Sequence, residues 1–337
     1  MSVDVVVVGG GPVGLASAIE ARLAGLAVTL IEPRESSIDK ACGEGLMPGA
    51  LPLLERLGID PPGMPLRGVS YLAPGRRAEY RFASGPGRGV RRVALHDALS
   101  ERADQLGVER VVGRVDGFTQ DSTGVTVNGI RAGWMFAADG LHSTVRVAAG
   151  LDRPRGGARR YGLRQHFFVA PWSELIEVHW AAHAEVYVTP VAEDTVGVAI
   201  LGPQRTDFAE TMRGIPELSS RLEGAATASS LRGAGPFRQR SRRPSTGRLL
   251  LVGDASGYVD AITGEGLRLG LDQARLAVQH VTDGLDYDRA WARSTRDFRR
   301  LTSGLVWAAT GPFRGAIVPA AAALPRVYGA VVERLAR

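Results

Sequence analysis

The stretch Val3-Asp4-Val5-Val6-Val7-Val8-Gly9-Gly10-Gly11-Pro12-Val13-Gly14 constrains this chain more than any other. A short β-branched apolar run that meets glycines and then passes into the alanine-rich segment Leu15 to Ala24 predicts a buried parallel strand, a tight turn and a helix. Because it lies between such a strand and such a helix, the spacing Gly9-x-Gly11-x-x-Gly14 fits a dinucleotide fingerprint. Gly9 lets the chain turn sharply, Gly11 lets backbone approach a pyrophosphate, and Gly14 lets helix and strand pack closely. The helix N-terminus supplies free N–H groups and a partial positive charge. A second strand is predicted over Ala27 to Ile31, and Glu32 at its end lies eighteen residues past Gly14. A carboxylate there can accept two ribose hydroxyl hydrogen bonds, which favours an adenosine without a 2′-phosphate.

A chain of 337 residues has room for two lobes or one large domain with a generous core. Its single cysteine, Cys42, allows no intramolecular disulfide and points to a reducing, cytoplasmic compartment. A strand that begins at Val3 leaves no room for a signal or transit peptide, and no apolar run reaches the roughly 18 to 20 residues of a bilayer span. A net charge of +6 suggests nucleic acid or an anionic membrane as partner. However, Lys40 is the only lysine among 41 basic residues, the arginines are scattered, and no nucleic-acid motif is present. The charge is therefore read as a compositional bias on a solvated surface, with no nucleic-acid partner and with peripheral membrane contact left open.

Along the chain, Pro33 to Leu46 is a polar, glycine-bearing loop of a length that is usually functional or mobile. Met47 to Leu57 reads as a helix, and Gly68 to Ala73 with Ala78 to Phe82 as two strands joined at Pro74-Gly75. Leu95, Leu99 and Ala103 form the apolar face of a helix beginning near Arg91. Strands follow over Val108 to Val115, Gly124 to Val127 and Ile130 to Ala138. From Tyr161 the texture changes to strands at Tyr161 to Val169, Glu177 to Trp180, Ala184 to Val191 and Thr195 to Leu201, an expected antiparallel sheet. Thr206 to Arg213 reads as helical. Leu249-Leu250-Leu251-Val252-Gly253-Asp254 repeats the grammar of the N-terminus and is expected to return to the nucleotide domain, with helices over Thr263 to Val281 and Tyr287 to Leu301. The tail is apolar and helical, interrupted by Pro312, Pro319 and Pro325, and its Trp307, Phe313 and Ile317 read most simply as core residues.

Three separated stretches thus run a strand into glycine with or beside an acid: Gly9 to Gly14, Ala138-Asp139-Gly140-Leu141-His142-Ser143-Thr144-Val145-Arg146, and Gly253-Asp254-Ala255 through Gly264-Glu265-Gly266. Each can offer backbone N–H groups or a short carboxylate to phosphates and ribityl hydroxyls. In this order the set resembles the FAD-dependent oxidoreductases typified by p-hydroxybenzoate hydroxylase, a family that also contains geranylgeranyl reductases and flavin halogenases. Asp139-Gly140-x-x-Ser143-x-x-Arg146 matches the family's DGxxSxxR motif. Arg92-x-x-Leu95-x-x-x-Leu99 matches its arginine-led helix, with Arg91 the competitor if the register slips by one. Two departures stand out, since Gly257 and Ala261 occupy positions where the hydroxylases usually carry histidine and proline. Cys42-Gly43-Glu44-Gly45-Leu46 and Thr263-Gly264-Glu265-Gly266 are closer to the geranylgeranyl reductase branch.

The resemblance implies an α/β fold: a Rossmann-like FAD-binding domain built from residues 1–65, 90–160 and 245–300, an antiparallel-sheet substrate domain from 66–89 and 161–244, and a helical tail over 301–337. It implies FAD contacts from Gly9, Gly11, Pro12, Val13, Gly14, Glu32, Arg34, Arg92, Val115, Asp139, Gly140, Gly253, Asp254, Gly264, Gly266 and Leu267. NADH or NADPH would serve as a transient reductant, met by Arg34, Arg92 or Arg146 in the absence of a second Rossmann fingerprint. Cys42 reads as a packed loop residue or, with Lys40 close by, as an activated thiol. Glu44 reads either as a hydrogen-bonding partner of substrate or flavin or as a solvated or loop-capping glutamate. His96 reads as a surface residue rather than a base and His142 as lining of the nucleotide site, while His166, His179, His183 and Tyr187 lie on predicted strands of the second lobe, where alternation points some of them, without singling out which, into the cavity over the flavin. No spacing matches a metal site and no nucleophile elbow is present.

The functional expectation is an FAD-dependent monooxygenase hydroxylating an apolar or phenolic small molecule, of polyketide type, with NAD(P)H and oxygen. There the protein's task is to hold the ring, exclude water and aim the substrate. The alternatives are a geranylgeranyl-reductase-like enzyme that reduces isoprenoid alkenes and a non-catalytic FAD-binding protein.

Overall fold

In the computed structural model, which describes residues 2–154, 156–157 and 159–337, two large sheets share the chain. The first runs in the order Ser245–Thr246, Leu249–Leu251, Ile130–Ala137, Ser2–Val8, Val28–Glu32, Glu109–Val112. From Leu249–Leu251 onward its neighbours are parallel, with Val125–Val127 added antiparallel to Ile130–Ala137. Val5, Val6 and Val7 are wholly buried, as expected of a strand covered on both faces.

The register of this sheet explains how distant turns meet. Leu251 pairs with Ala137, Ala137 with Val8, and Val8 with Ile31, so one row crosses four parallel strands. The residues just beyond that row are Gly253, Asp139, Gly9 and Glu32, and the C-terminal edge of a parallel sheet is where ligands bind in such folds. Helices Pro12–Leu23, Arg92–Gln105 and Gly266–Asp283 cover one side. The first and last are packed so closely that a Cβ on Gly270 would stand 2.3 Å from Val13 Cγ2.

The second sheet runs Arg232–Ala234, Arg160–Phe168, Thr195–Pro203, Glu185–Ala192, Leu175–Trp180, Gly68–Ala73, Arg76–Arg81. It is antiparallel except where Leu175–Trp180 lies parallel to Gly68–Ala73. The C-terminal helices Ile317–Ala323 and Pro325–Ala336 pack against its edge, with Tyr328, Val332 and Ala336 sharing a core with Val69 and Ile176. Glu333 fastens them by accepting from Tyr80 Oη at 3.1 Å and the Ala83 N–H at 3.0 Å.

Several elements differ from expectation. The helix expected over Met47 to Leu57 begins as a 3-10 turn at Pro48–Ala50 and is regular only over Leu51–Arg56, with Pro48 and Pro52 both present in it. The strand expected over Val108 to Val115 pairs only over Glu109–Val112. The helix expected to stop at Leu301 runs from Tyr287 to Thr310, because nothing before Gly311 and Pro312 interrupts it. A further short helix, Pro216–Arg221, has proline at its first position.

Candidate active site

The glycine turn is built as the spacing requires. Gly9 has φ +103°, and a Cβ there would lie 2.6 Å from the Ala138 carbonyl oxygen. A Cβ on Gly14 would lie 1.7 Å from the Gly9 oxygen, so only glycine lets the helix approach the strand. Gly11 is different, since the nearest atom to its would-be Cβ is the Arg92 guanidinium at 4.0 Å. The open side of this turn therefore faces Arg92, and the helix starting at Pro12 has no side-chain cap on its free N–H groups.

Arg92 and Arg91 both have a buried Nε without a hydrogen-bond partner, and it is Arg92 that stands over Gly11. Burial lowers the Arg92 pKa, opposed by the charges of Cys42, Asp254, Glu44 and Asp39. Asp254 lies in the same field: burial pushes its carboxyl up to about 6 against the pull of Arg92, Lys40 and Arg146. Gly253 has φ +64°, and its N–H donates to Gln273 Oε1 at 2.7 Å. Gly264 has φ +72°, and Gly266 opens the helix that Glu265 precedes, with Leu267 packed on the core beneath. Burial also raises the Glu265 carboxyl to about 7, and its Oε1 has no partner.

The acid of the second motif caps a helix. Asp139 Oδ2 accepts from the Val145 N–H at 3.2 Å and from Thr144 Oγ1 at 3.4 Å, while Oδ1 is buried and unpartnered. Gly140 has φ +82°, with Lys40 Nζ 3.9 Å from its would-be Cβ, and Val115 reaches this turn through its carbonyl, which accepts from Thr144 at 3.0 Å. Arg146 is 1% exposed. Its guanidinium donates to Asp152 at 2.8 Å, the Ala255 carbonyl at 3.0 Å, the Leu141 carbonyl at 3.1 Å and Gln239 at 3.2 Å. As a contact for nicotinamide Arg146 is thus ruled out by burial; it instead ties the Asp139 turn to the Gly253 turn.

Other expected site residues are also occupied within the chain. Glu32 accepts from the Gly10 N–H at 2.7 Å and from Arg34 Nε at 2.6 Å, so it braces the glycine turn and draws Arg34 to itself. A carboxylate has about four acceptor positions, which leaves capacity for a ribose. His96 is 6% exposed rather than on the surface: its Nε2 bonds the Gly10 carbonyl at 2.9 Å, and burial lowers its pKa. His142 is exposed and touches the Gly235 carbonyl, and His183 is exposed. His179 is buried 3.4 Å from Glu177.

The loop that follows Glu32 is pinned across the gap between the sheets. Glu44, at φ +59° and 4% exposed, accepts from the Arg92 N–H at 2.8 Å through Oε1 and meets His166 Nε2 at 2.5 Å through Oε2. His166 Nδ1 continues to Ser229 Oγ at 2.8 Å. Arg164 bonds Asp39 and the Lys40 carbonyl, and Thr189 Oγ1 donates to the Gly43 carbonyl at 2.9 Å. Glu44 is therefore buried and not solvated, and it braces the loop through the Arg92 N–H and His166. Burial raises the Cys42 thiol and outweighs Arg92, so Cys42 is a packed, protonated thiol and not an activated one. Tyr187 joins the second sheet to the third motif, donating to the Ile262 carbonyl at 2.8 Å. Beneath it Arg160 bridges Glu185 and Asp260, a buried group with no local sequence signature because its members lie far apart in the chain.

The groups left open beside Gly11 fit a pyrophosphate, namely uncapped helix N–H groups and the Arg92 guanidinium, whereas the carboxyls of Asp139 and Asp254 on the other turns are acceptors suited to hydroxyl donors and not to phosphate. Residues 2–282 match the model of the family described as the FAD binding domain. The chain belongs to that family. It is 28% identical to menaquinone reductase of Mycolicibacterium smegmatis, covering 86% of this chain and 79% of that protein. It is 26% identical to digeranylgeranylglycerophospholipid reductase of Methanococcus vannielii, over 82% and 76% of the two chains. It is equally 26% identical to 6-methylpretetramide 4-monooxygenase of Streptomyces rimosus, over 99% and 92%. Among solved structures, a flavin-dependent brominase superposes with TM-score 0.79 at 19% identity, over 100% of this chain and 94% of that one, a likeness of fold. The protein is an FAD-dependent oxidoreductase.

Proposed function

We propose that this oxidoreductase is a monooxygenase that takes electrons from NADH or NADPH and hydroxylates an apolar or phenolic small molecule. In this reading FAD lies along the C-terminal edge of the parallel sheet. Its pyrophosphate rests on the turn Gly9 to Gly14, facing Arg92, and its ribityl chain lies between the Asp139-Gly140 and Gly253-Asp254 turns. The flavin ring lies toward Gly264 and Gly266. When bound, the cofactor supplies the redox chemistry with oxygen; the chain's own groups hold it, dry it and orient the substrate. The division into residues 1–65, 90–160 and 245–300 for the cofactor, 66–89 and 161–244 for the substrate, and 301–337 as a tail belongs to the same reading.

The observation that carries it is the pinned loop. Glu44 to His166, Arg164 to Asp39 and Thr189 to Gly43 bridge the two sheets with one buried and two part-buried polar contacts, a closure that would keep water from the side of the cofactor. Hydroxylation requires that exclusion, since water otherwise diverts the oxygen chemistry. Arg34, which is exposed, is the nicotinamide contact in this reading.

A second reading, reduction of an isoprenoid alkene, is favoured by two motifs. Cys42-Gly43-Glu44-Gly45-Leu46 and Thr263-Gly264-Glu265-Gly266 are closer to the geranylgeranyl reductase branch, in line with the similarity to a menaquinone reductase and a digeranylgeranylglycerophospholipid reductase. Oxygen uptake and product formation, measured together with NADH or NADPH, separate the two. The monooxygenase consumes one oxygen per product and stops under anaerobic conditions, whereas turnover that continues without oxygen overturns the proposal in favour of reduction.

A further inference from the structure

The helix Tyr287–Thr310 carries on its outer face a row spaced by three and four residues: Arg289, Arg293, Arg296, Arg300, Ser303 and Trp307, all exposed. At 1.5 Å per residue this row is about 27 Å long. Arg293 and Arg300 have no acidic partner among the described residues, and the Arg289 and Arg296 pairs, at 3.9 and 3.5 Å, are loose. The row ends in apolar surface. Trp307 is 64% and Phe313 is 52% exposed, their rings 5.1 Å apart at the corner where the helix stops. The sequence read them as core, yet they pack on each other and on solvent.

Beyond that corner the surface stays apolar. Between Asp297 and Glu333 there is no acidic residue, and from Leu301 to Val332 the only charges are Arg314 and Arg326. Arg314 turns inward onto Glu185 and the Ala181 and Ala184 carbonyls, which leaves Arg326 as the one exposed charge beside Leu324 and Val327, themselves 56% and 58% exposed. A patch of this kind is costly in water and marks an interaction surface.

We infer that this face docks on an anionic lipid bilayer, with the arginine row against lipid phosphates and Trp307, Phe313, Leu324 and Val327 in the interfacial layer. Two properties choose lipid over other anionic partners. Nucleic acid satisfies the arginines but gives a Trp–Phe corner and a run of alanine, leucine and valine nothing to bury against. A bilayer surface offers phosphate beside hydrocarbon, the pairing that amphipathic interfacial helices use. Among the described residues no single helix is long and apolar enough to cross a membrane, and the bent pair Arg314–Ala323 and Pro325–Ala336 is engaged through Val318, Tyr328, Val332 and Ala336 in the core of the second sheet, so the contact inferred is peripheral. The placement holds for either reaction, because both act on apolar molecules.

The test is vesicle flotation of the FAD-loaded full chain, which reads location and not turnover. Wild-type protein is expected to float with vesicles of phosphatidylcholine containing phosphatidylglycerol. Flotation should fall at least about tenfold with phosphatidylcholine alone or at high salt. The Trp307→Ser/Phe313→Ser variant should lose at least about tenfold in partitioning while keeping its flavin absorbance. Arg296→Gln/Arg300→Gln, which removes no apolar surface and so guards against misfolding, should lose about tenfold. Wild-type protein that never floats overturns the inference, as do variants that float as well as wild type. A light-scattering mass that halves in the Trp307 and Phe313 variant, without flotation of the parent, assigns the face to a second copy and also overturns it.

Discussion

The turns at Gly9 to Gly14 and at Asp139 to Arg146 leave adjacent strands of one sheet at the same edge, yet they hold their charge in opposite ways. Arg146 is enclosed, and its donors go to Asp152, two carbonyls and Gln239. Arg92, also sequestered, has an Nε with no partner and looks onto the empty side of Gly11. One arginine holds the turns together; the other waits for an anion. The difference shows that arginines of neighbouring turns are used in two ways, one with its donors consumed inside the chain and one with a donor left over.

The largest expected effect belongs to the structural side. Gly14→Val puts a β-branched side chain where even a Cβ would lie 1.7 Å from the Gly9 oxygen. The strand and helix must part, and the variant is expected to yield no folded, yellow protein in a far-UV circular dichroism and absorbance assay. Soluble, flavin-loaded Gly14→Val protein would mean that the close approach is not needed.

Next comes the direct contrast between the arginines. Arg146→Met strands Asp152 and two buried carbonyls and should cost about 3–5 kcal/mol in denaturant unfolding of the apoprotein. Arg92→Met removes a buried charge that has no full partner, so apoprotein stability should change little, while FAD affinity should drop by about 1.5–3 kcal/mol, or roughly 10- to 150-fold. If the two variants lose stability and affinity in equal proportion, the division of roles fails.

A smaller effect follows from Asp254, which sits between the two regions. Its carboxyl is raised from 3.8 to about 6, chiefly by burial. The folded apoprotein therefore binds more protons than the unfolded chain between about pH 4 and pH 6, and its stability falls as pH rises through that window. The full cost, up to about 3 kcal/mol, is present above pH 6. Asp254→Asn should reduce this slope in apoprotein unfolding curves without abolishing it, because burial also raises Asp260 to about 6 and Glu265 to about 7; a slope that the substitution leaves unchanged assigns the titration to those two.

What could be read from the residues alone follows the same divide. Strand, turn and helix at Val3 to Ala24 are dictated by neighbours in sequence, and so are the strand ends at Ala138 and Val252 whose alignment brings the glycines together. His96 could not be placed, because its partner is the Gly10 carbonyl, 86 residues away. Glu44 could not be assigned, since its buried role depends on His166 arriving from the other sheet, 122 residues on. Trp307 and Phe313 misled for the opposite reason: aromatic residues in an apolar tail imply a core unless a surface is known to need them. Local pattern sets elements and their order; the partners of buried polar groups are set by register between strands.

The finest test compares two glycines of one turn. Gly11 has φ −68° and ψ 173°, a conformation any residue adopts, and its Cβ position meets nothing nearer than the Arg92 guanidinium at 4.0 Å. Gly11→Ala should therefore unfold within about 0.5 kcal/mol of wild type. The added methyl points into the space where backbone would approach a pyrophosphate, so FAD affinity, measured by fluorescence quenching, should weaken by about tenfold while stability does not. Unchanged affinity would place the pyrophosphate elsewhere along the sheet edge; lost stability would mean that the turn is tighter than its geometry indicates. Since Gly11→Ala differs from the ruinous Gly14→Val by three positions on the same turn, the pair separates the glycine that shapes the fold from the glycine that leaves room for the ligand.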